Sequence, residues 1–155
     1  MYFIVLFILS WMCFFYFADK NNIRKYYGAV MYSSFLGLLT DLIMVTYMLW
    51  SYQGLPSPSY SIPLLLDFSI YPVVSYLFLQ SLPPTWGKII RNTLIWTAAA
   101  ATFEWITLKT GYMGHHKWWN LYYSIGADTV IFLSIACLYR YYSQAYNALS
   151  SNPKK

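Results

Sequence analysis

Four acidic residues lie inside long apolar segments of this 155-residue chain, one in each segment. They are Asp41, Asp67, Glu104 and Asp128, whereas the fifth acid of the chain, Asp19, lies in a polar connection. An ionised acid that faces lipid at the centre of a membrane span opposes insertion by about 2.5–3.5 kcal/mol. We therefore expect all four to face the protein interior and to bind a cationic ligand, a metal ion or protons there.

A short polar segment, residues 111–120, follows the segment that contains Glu104. The imidazoles of His115 and His116 could complete a metal site with carboxylates. This combination of ligands suits zinc, iron or manganese. Adjacent histidines usually point in different directions, which favours solvated loop side chains instead. Lys109 and Lys117 are a further alternative, because they could neutralise part of the carboxylate charge. No cofactor is predicted. The candidate contributors from this segment are His115, His116, Trp119 and Asn120.

The composition of the chain decides which class of fold must position these residues. Hydrophobic residues make up 59% of the chain and charged residues 10%, whereas a soluble domain is about 45–50% apolar and about 25% charged. This excludes a soluble enzyme and predicts an all-α integral membrane bundle. The net charge of +5 comes from short basic clusters between apolar runs, so we expect the lipid bilayer and not nucleic acid as the partner.

Five apolar windows approach the roughly 20 residues that a membrane-spanning helix needs. They predict one transmembrane domain over residues 1–142 and a short basic cytoplasmic tail over residues 143–155. Pro72 should kink the third span, because it removes a backbone hydrogen bond. The windows are 2–18, 27–50, 62–82, 90–108 and 121–142.

Basic residues predict the orientation of the five spans, because Lys and Arg concentrate on the cytoplasmic side. Eight fall on one side, and Lys109 and Lys117 fall on the other, which places the N-terminus outside and the C-terminus in the cytoplasm. At a rise of 1.5 Å per residue, the four acids then lie about 7–13 Å from the outer ends of their spans. We expect a shared polar site in the outer half of the bundle. The eight are Lys20, Arg24, Lys25, Lys88, Arg91, Arg140, Lys154 and Lys155.

Small and hydroxylated residues share helix faces with three of the acids and should permit close helix approach. Alternatively, each acid bonds a Tyr, a Trp or a backbone carbonyl and only holds the bundle together. The shared faces are Ser34 and Gly37 with Asp41, then Thr97, Ala100, Ala101 and Thr107 with Glu104, and Ser124 with Asp128.

Three functions remain compatible with these features. The first is a pocket that binds or translocates a small cationic or amphipathic ligand, a metal ion or protons. The second is a structural or partner subunit, as a homo-oligomer or with another membrane protein, that has no ligand of its own. The third is a membrane-embedded lipid or isoprenoid enzyme that uses paired carboxylates. No residue is assigned a catalytic role, since the chain has no Gly-rich phosphate loop, no Gly-x-Ser-x-Gly and no His-Glu-x-x-His.

Four segments carry a resemblance to a known family: residues 38–45 (LLTDLIMV), 64–74 (LLLDFSIYPVV), 103–105 (FEW) and 119–124 (WNLYYS). Over most of residues 25–142 the chain resembles a family of small uncharacterised multipass membrane proteins from spore-forming Gram-positive bacteria, the clostridial CBO-type family. The resemblance implies a multipass fold in a bacterial plasma membrane. It implies no activity, because the family has none assigned.

Overall fold

A computed structural model describes residues 1–150 of the chain, with side chains through Gln144. Helices dominate the described part, and each predicted apolar window coincides with a helical segment. The elements in chain order are α1 (Tyr2–Phe17), a 3-10 turn (Lys20–Asn22), α2 (Ile23–Thr46), β1 (Trp50–Tyr52), α3 (Pro58–Asp67), α4 (Ile70–Gln80), α5 (Trp86–Lys109), β2 (Met113–His115) and α6 (Leu121–Ser150).

Three helical segments are long and apolar enough to cross a membrane: Lys20–Thr46, Pro58–Gln80 and Leu121–Gln144. The apolar helix α1 has 16 residues and is shorter than the roughly 20 that a span needs. Helix α5 has 24 residues, but charged residues near both of its ends lower its hydropathy. The predicted tail over 143–155 begins inside α6, and residues 151–155, with Lys154 and Lys155, lie outside the described residues.

The third predicted span is broken where α3 ends and α4 begins, at Phe68 and Ser69. Pro72 has no N–H to donate to the carbonyl of Phe68, four residues earlier, and its ring crowds that carbonyl. The Ser69 hydroxyl donates to the Leu65 carbonyl at 2.6 Å and satisfies one of the freed acceptors. The kink predicted from Pro72 is confirmed, and it leaves Asp67 as the last residue of α3.

A two-stranded antiparallel ribbon, which the sequence analysis did not predict, joins the α2–α3 connection to the α5–α6 connection. Trp50 pairs with His115 and Tyr52 pairs with Met113. The Leu49 carbonyl accepts a hydrogen bond from the His116 N–H at 2.8 Å, which extends the pairing. We call the end of the bundle that carries β1 and β2 the ribbon end.

Helix α2 lies at the centre of the bundle, where it packs against α3, α4 and α6. Helix α1 packs on α3 and α4, whereas α5 packs on α6 and on β2. The helices therefore form an open arc with α1 at one end and α5 at the other. Two apolar clusters hold the arc together, one around Phe78 and Ile135 and one around Phe3 and Trp50 at the ribbon end.

Gly37 permits the close approach of α2 to the broken helix. A β-carbon at this position would lie 2.5 Å from Asp67 Oδ1 and 2.8 Å from Tyr71 Cδ1. The sequence analysis placed Gly37 on the helix face of Asp41 and expected close packing there, and this is confirmed. Gly28 lies on the same helix with nothing within 4 Å of a built β-carbon.

We predict that Gly37→Ala destabilises the folded protein by about 1–3 kcal/mol, because the added methyl overpacks the α2–α3 contact. Gly28→Ala is the matched control, and it should be neutral or stabilising by up to about 1 kcal/mol, since Ala favours helix. Unfolding of the purified proteins in detergent measures both values. Equal effects of the two substitutions would contradict the packing role of Gly37.

Candidate functional site

Three of the four acids in apolar segments, Asp41, Glu104 and Asp128, line one cavity of about 450 Å³. The cavity is bounded by all six helices and the ribbon, and we call it the acidic cavity. Within the described residues, no Lys, Arg or His lines it. Its other walls are mostly apolar and aromatic, and the rings that line it include Trp50, Tyr71, Trp96, Phe103, Trp119 and Phe132.

Asp41 is fully buried and presents one free carboxylate oxygen. The Tyr52 hydroxyl donates to Asp41 Oδ1 at 3.0 Å, while Oδ2 has no partner among the described residues. Burial raises the pKa of the Tyr52 phenol well above its usual range, so Tyr52 keeps its proton and remains a donor. A buried acceptor without a donor is rare in folded proteins, which makes Oδ2 a candidate ligand contact.

Asp67 is also fully buried, but it does not line the acidic cavity. Neither of its carboxylate oxygens has a partner among the described residues, and Oδ1 lies against the backbone of Gly37. Asp41 is within electrostatic reach of Asp67. We call the four acids and the side chains that contact them, directly or through one hydrogen-bonded side chain, the acidic cluster. Asp67 belongs to this cluster but lies outside the acidic cavity that the other three acids share.

Tyr71 is the residue that connects the four acids. Its ring lines the acidic cavity and lies close to Gly37, and its phenol is within electrostatic reach of all four carboxyl groups. Sequence reasoning missed both Tyr71 and Tyr52. The chain contains 17 tyrosines, and nothing in their spacing distinguishes these two from the rings that anchor helix ends.

Glu104 is held by a chain of polar contacts that reaches the ribbon end. The Ser124 hydroxyl donates to Glu104 Oε1 at 2.6 Å, and the Trp119 indole N–H donates to Ser124 at 3.0 Å. His115 Nε2 lies 2.7 Å from the same carboxylate oxygen. That contact has the distance of an ion pair but not the angle of a hydrogen bond, so its strength depends on the charge of His115.

The other predicted contributors from residues 111–120 point away from the acids. His116 Nε2 lies 2.7 Å from the Ser51 hydroxyl. Asn120 accepts the Tyr122 N–H at 2.9 Å and caps the start of α6. Neither side chain lines the acidic cavity, so of the four candidates only His115 and Trp119 join the acidic cluster.

Among the described residues, neither Lys109 nor Lys117 forms a direct ion pair with a carboxylate. Lys117 donates to the Tyr47 carbonyl at the end of α2, at 2.5 Å, and Lys109 is exposed in the last turn of α5. Among the described residues, His115 and Glu104 form the only acid–base pair within 4.0 Å. The cavity carboxyls therefore have no direct cationic partner from a lysine.

Metal ligation finds no support in the geometry. No group of three or more His, Cys, Asp or Glu side chains within the described residues is arranged to hold a metal ion. The Trp50 indole N–H is buried and has no partner there, although Trp50 lines the cavity. The cavity thus offers carboxylate acceptors, one free N–H donor and aromatic faces.

We predict that Tyr52→Phe destabilises the protein by about 1–3 kcal/mol, because it leaves the buried Asp41 carboxyl without a donor. Tyr60→Phe is the control, since Tyr60 is 67% exposed and its loss of a hydroxyl should have little effect. In a double-mutant cycle, Tyr52→Phe should cost less when Asp41→Leu is already present. Additive effects in that cycle would contradict the pairing.

No protein-family model, curated protein or solved structure matches the chain.

Proposed function

We propose that this protein is a multipass membrane protein that binds a small amphipathic amine in the acidic cavity. The observation that carries the proposal is the meeting of three carboxyl groups with apolar and aromatic walls in a cavity that no basic side chain lines, among the described residues. An ammonium group would pair with the carboxylates. The apolar body of the same ligand would contact the remaining walls.

The dimensions and walls of the cavity suit such a ligand. Small-molecule sites have volumes of about 300–1,000 Å³ and are mostly apolar, with a few polar groups that fix orientation. A cation over an aromatic face gains about 0.5–2 kcal/mol, more when water is excluded. Trp50, Trp96 and Trp119 line the same cavity as the carboxyls. A bare metal ion would leave most of this apolar volume unused.

The proposal includes five membrane spans, with α1 and α5 added to the three segments that are long and apolar enough. Support comes from the position of charge on α5. The basic residues lie near its two ends, Lys88 and Arg91 at one and Lys109 at the other. The remaining charged residue of α5, Glu104, contacts His115. Successive segments also alternate between the ribbon end and the opposite end. A bacterial plasma membrane is the setting we propose, with the ribbon end outside.

We predict that topology reporters fused after residues 22, 53, 84 and 117 alternate between cytoplasm and exterior, beginning with the cytoplasm. Alkaline phosphatase and green fluorescent protein are suitable reporters, because each is active on one side only. Positions 84 and 117 flank α5 and test that span directly. If α5 does not cross, these two positions will report the same side, and the five-span arrangement is wrong.

We predict that the purified protein binds 2-phenylethylamine and binds the matched neutral 2-phenylethanol at least about tenfold more weakly, a difference of about 1.4 kcal/mol. Asp41→Asn, Glu104→Gln and Asp128→Asn should each weaken amine binding, because each removes a carboxylate that lines the cavity. Native mass spectrometry and calorimetry measure the affinities.

Two other acids are the controls for this binding experiment. Asp67→Asn removes a buried carboxyl that does not line the cavity, and Asp19→Asn removes an exposed one, so both should bind the amine nearly as the unaltered protein does. Unchanged amine binding in all three lining variants would overturn the proposal. Copurification of another membrane protein, without amine binding, would favour the partner-subunit hypothesis. Turnover of extracted membrane lipids that needs one carboxylate would favour the enzyme hypothesis.

A further inference from the structure

The two ends of the helical arc, α1 and α5, line the same cavity, and each packs mainly against other elements and not against the other. Leu6 and Leu9 line it from α1, and Ala99 and Phe103 line it from α5. Within the described part of the chain, α1 packs on α3 and α4, and α5 packs on α6 and β2. One side of the acidic cavity is therefore bounded by two helices with a gap between them.

Residues at this gap both line the cavity and face the outside of the protein. Leu9 is 48% exposed, and Cys13, one helical turn further along α1, is exposed as well. Ala99 on α5 has the same two properties. These three residues lie in the middle parts of their helices, so an opening between them would face sideways and not through an end of the bundle.

The ribbon end of the gap is closed by aromatic and polar contacts. The hydroxyls of Tyr2 and Thr107 lie 3.1 Å apart, which links the start of α1 to α5. The Tyr2 ring stacks on the Tyr112 ring, with centroids 4.4 Å apart and planes at 2°. These contacts close the gap at its ribbon end, and Leu9, Cys13 and Ala99 lie further along the two helices.

We infer that the acidic cavity opens laterally into the hydrocarbon of the membrane and that its ligand is a long-chain amine. This rests on the proposed amine binding and names the ligand class more closely. The ammonium lies at Glu104, Asp41 and Asp128, and the alkyl chain leaves the protein between α1 and α5. Glu104 is five residues from Ala99, about 7.5 Å along the helix, so the head group and the exit of the chain lie at different depths.

The physical consequence concerns chain length. Transfer of a chain from lipid hydrocarbon to an apolar wall yields little free energy, because both surroundings are apolar. If the cavity has a lateral mouth, the affinity for the amine, calculated from its concentration in the membrane, should stay constant when the alkyl chain becomes longer than the cavity. In a closed cavity the same affinity would fall once the chain no longer fits.

The experiment compares butylamine with hexadecylamine in phosphatidylcholine vesicles that contain the full chain. We expect both amines to bind with membrane-referred affinities within about threefold of each other. Ala99→Phe should weaken hexadecylamine at least about tenfold more than it weakens butylamine, because the ring narrows the mouth that only the longer chain must occupy. Ala98→Phe is the matched control, since Ala98 is exposed on the next position but does not line the cavity.

A dye on a native thiol reports the chain directly. Bimane on Cys13, in a Cys137→Ser background, should change its emission when hexadecylamine binds, whereas bimane on Cys137 in a Cys13→Ser background should not. Both thiols are exposed, and only Cys13 lines the cavity. Equal responses at the two sites would overturn the inference.

The possible failures can be told apart. If butylamine itself does not bind, the proposed function fails. If butylamine binds while hexadecylamine does not, the amine site stands and the lateral mouth is wrong. If a second copy of the chain occupies the gap, added copper phenanthroline will oxidise the Cys13 thiols of two chains to an intermolecular disulfide, and prior addition of hexadecylamine will not lower its yield; this also overturns the inference.

Discussion

Carboxyl groups in apolar helices must be kept out of lipid, and this constraint shapes the whole bundle. A charged group at the bilayer centre is expensive, so such residues face the interior of a bundle or a polar cavity. Here Asp41 lies on the central helix α2 and is fully buried. The helices that carry the other acids pack directly or indirectly on α2.

The break between α3 and α4 follows from the same constraint. Pro72 cannot donate to the carbonyl of Phe68, and at the same break the Ser69 hydroxyl donates to the Leu65 carbonyl. The break ends α3 at Asp67, and the absent side chain of Gly37 makes room for that carboxyl. A backbone irregularity and a glycine on a neighbouring helix therefore place one acid behind the wall of the cavity and leave three at its surface.

The ribbon supplies polar partners for two of the acids on the helices. Tyr52 from β1 gives Asp41 its donor, and His115 from β2 gives Glu104 a basic neighbour. Its strands are three residues each, too short to show an alternating pattern in the sequence. The predicted span over residues 27–50 therefore placed Trp50 at the end of a membrane span and not in a strand. This part of the site forms because two connections that are far apart in the sequence pair with each other. The local sequence of neither connection predicts that pairing.

The sequence by itself determined the helical segments, the kink at Pro72 and the inward direction of the acids, because apolar length, proline geometry and the expense of charge in lipid are local properties. Only the tertiary structure decided which acids share a space. In the sequence, Asp67 has apolar neighbours and a depth in its segment similar to those of the other acids. It nevertheless lies outside the cavity, because of how α2 and α3 meet at Gly37. The gap between α1 and α5 was decided at the same level, since it depends on which helices pack together and not on the pattern of either helix.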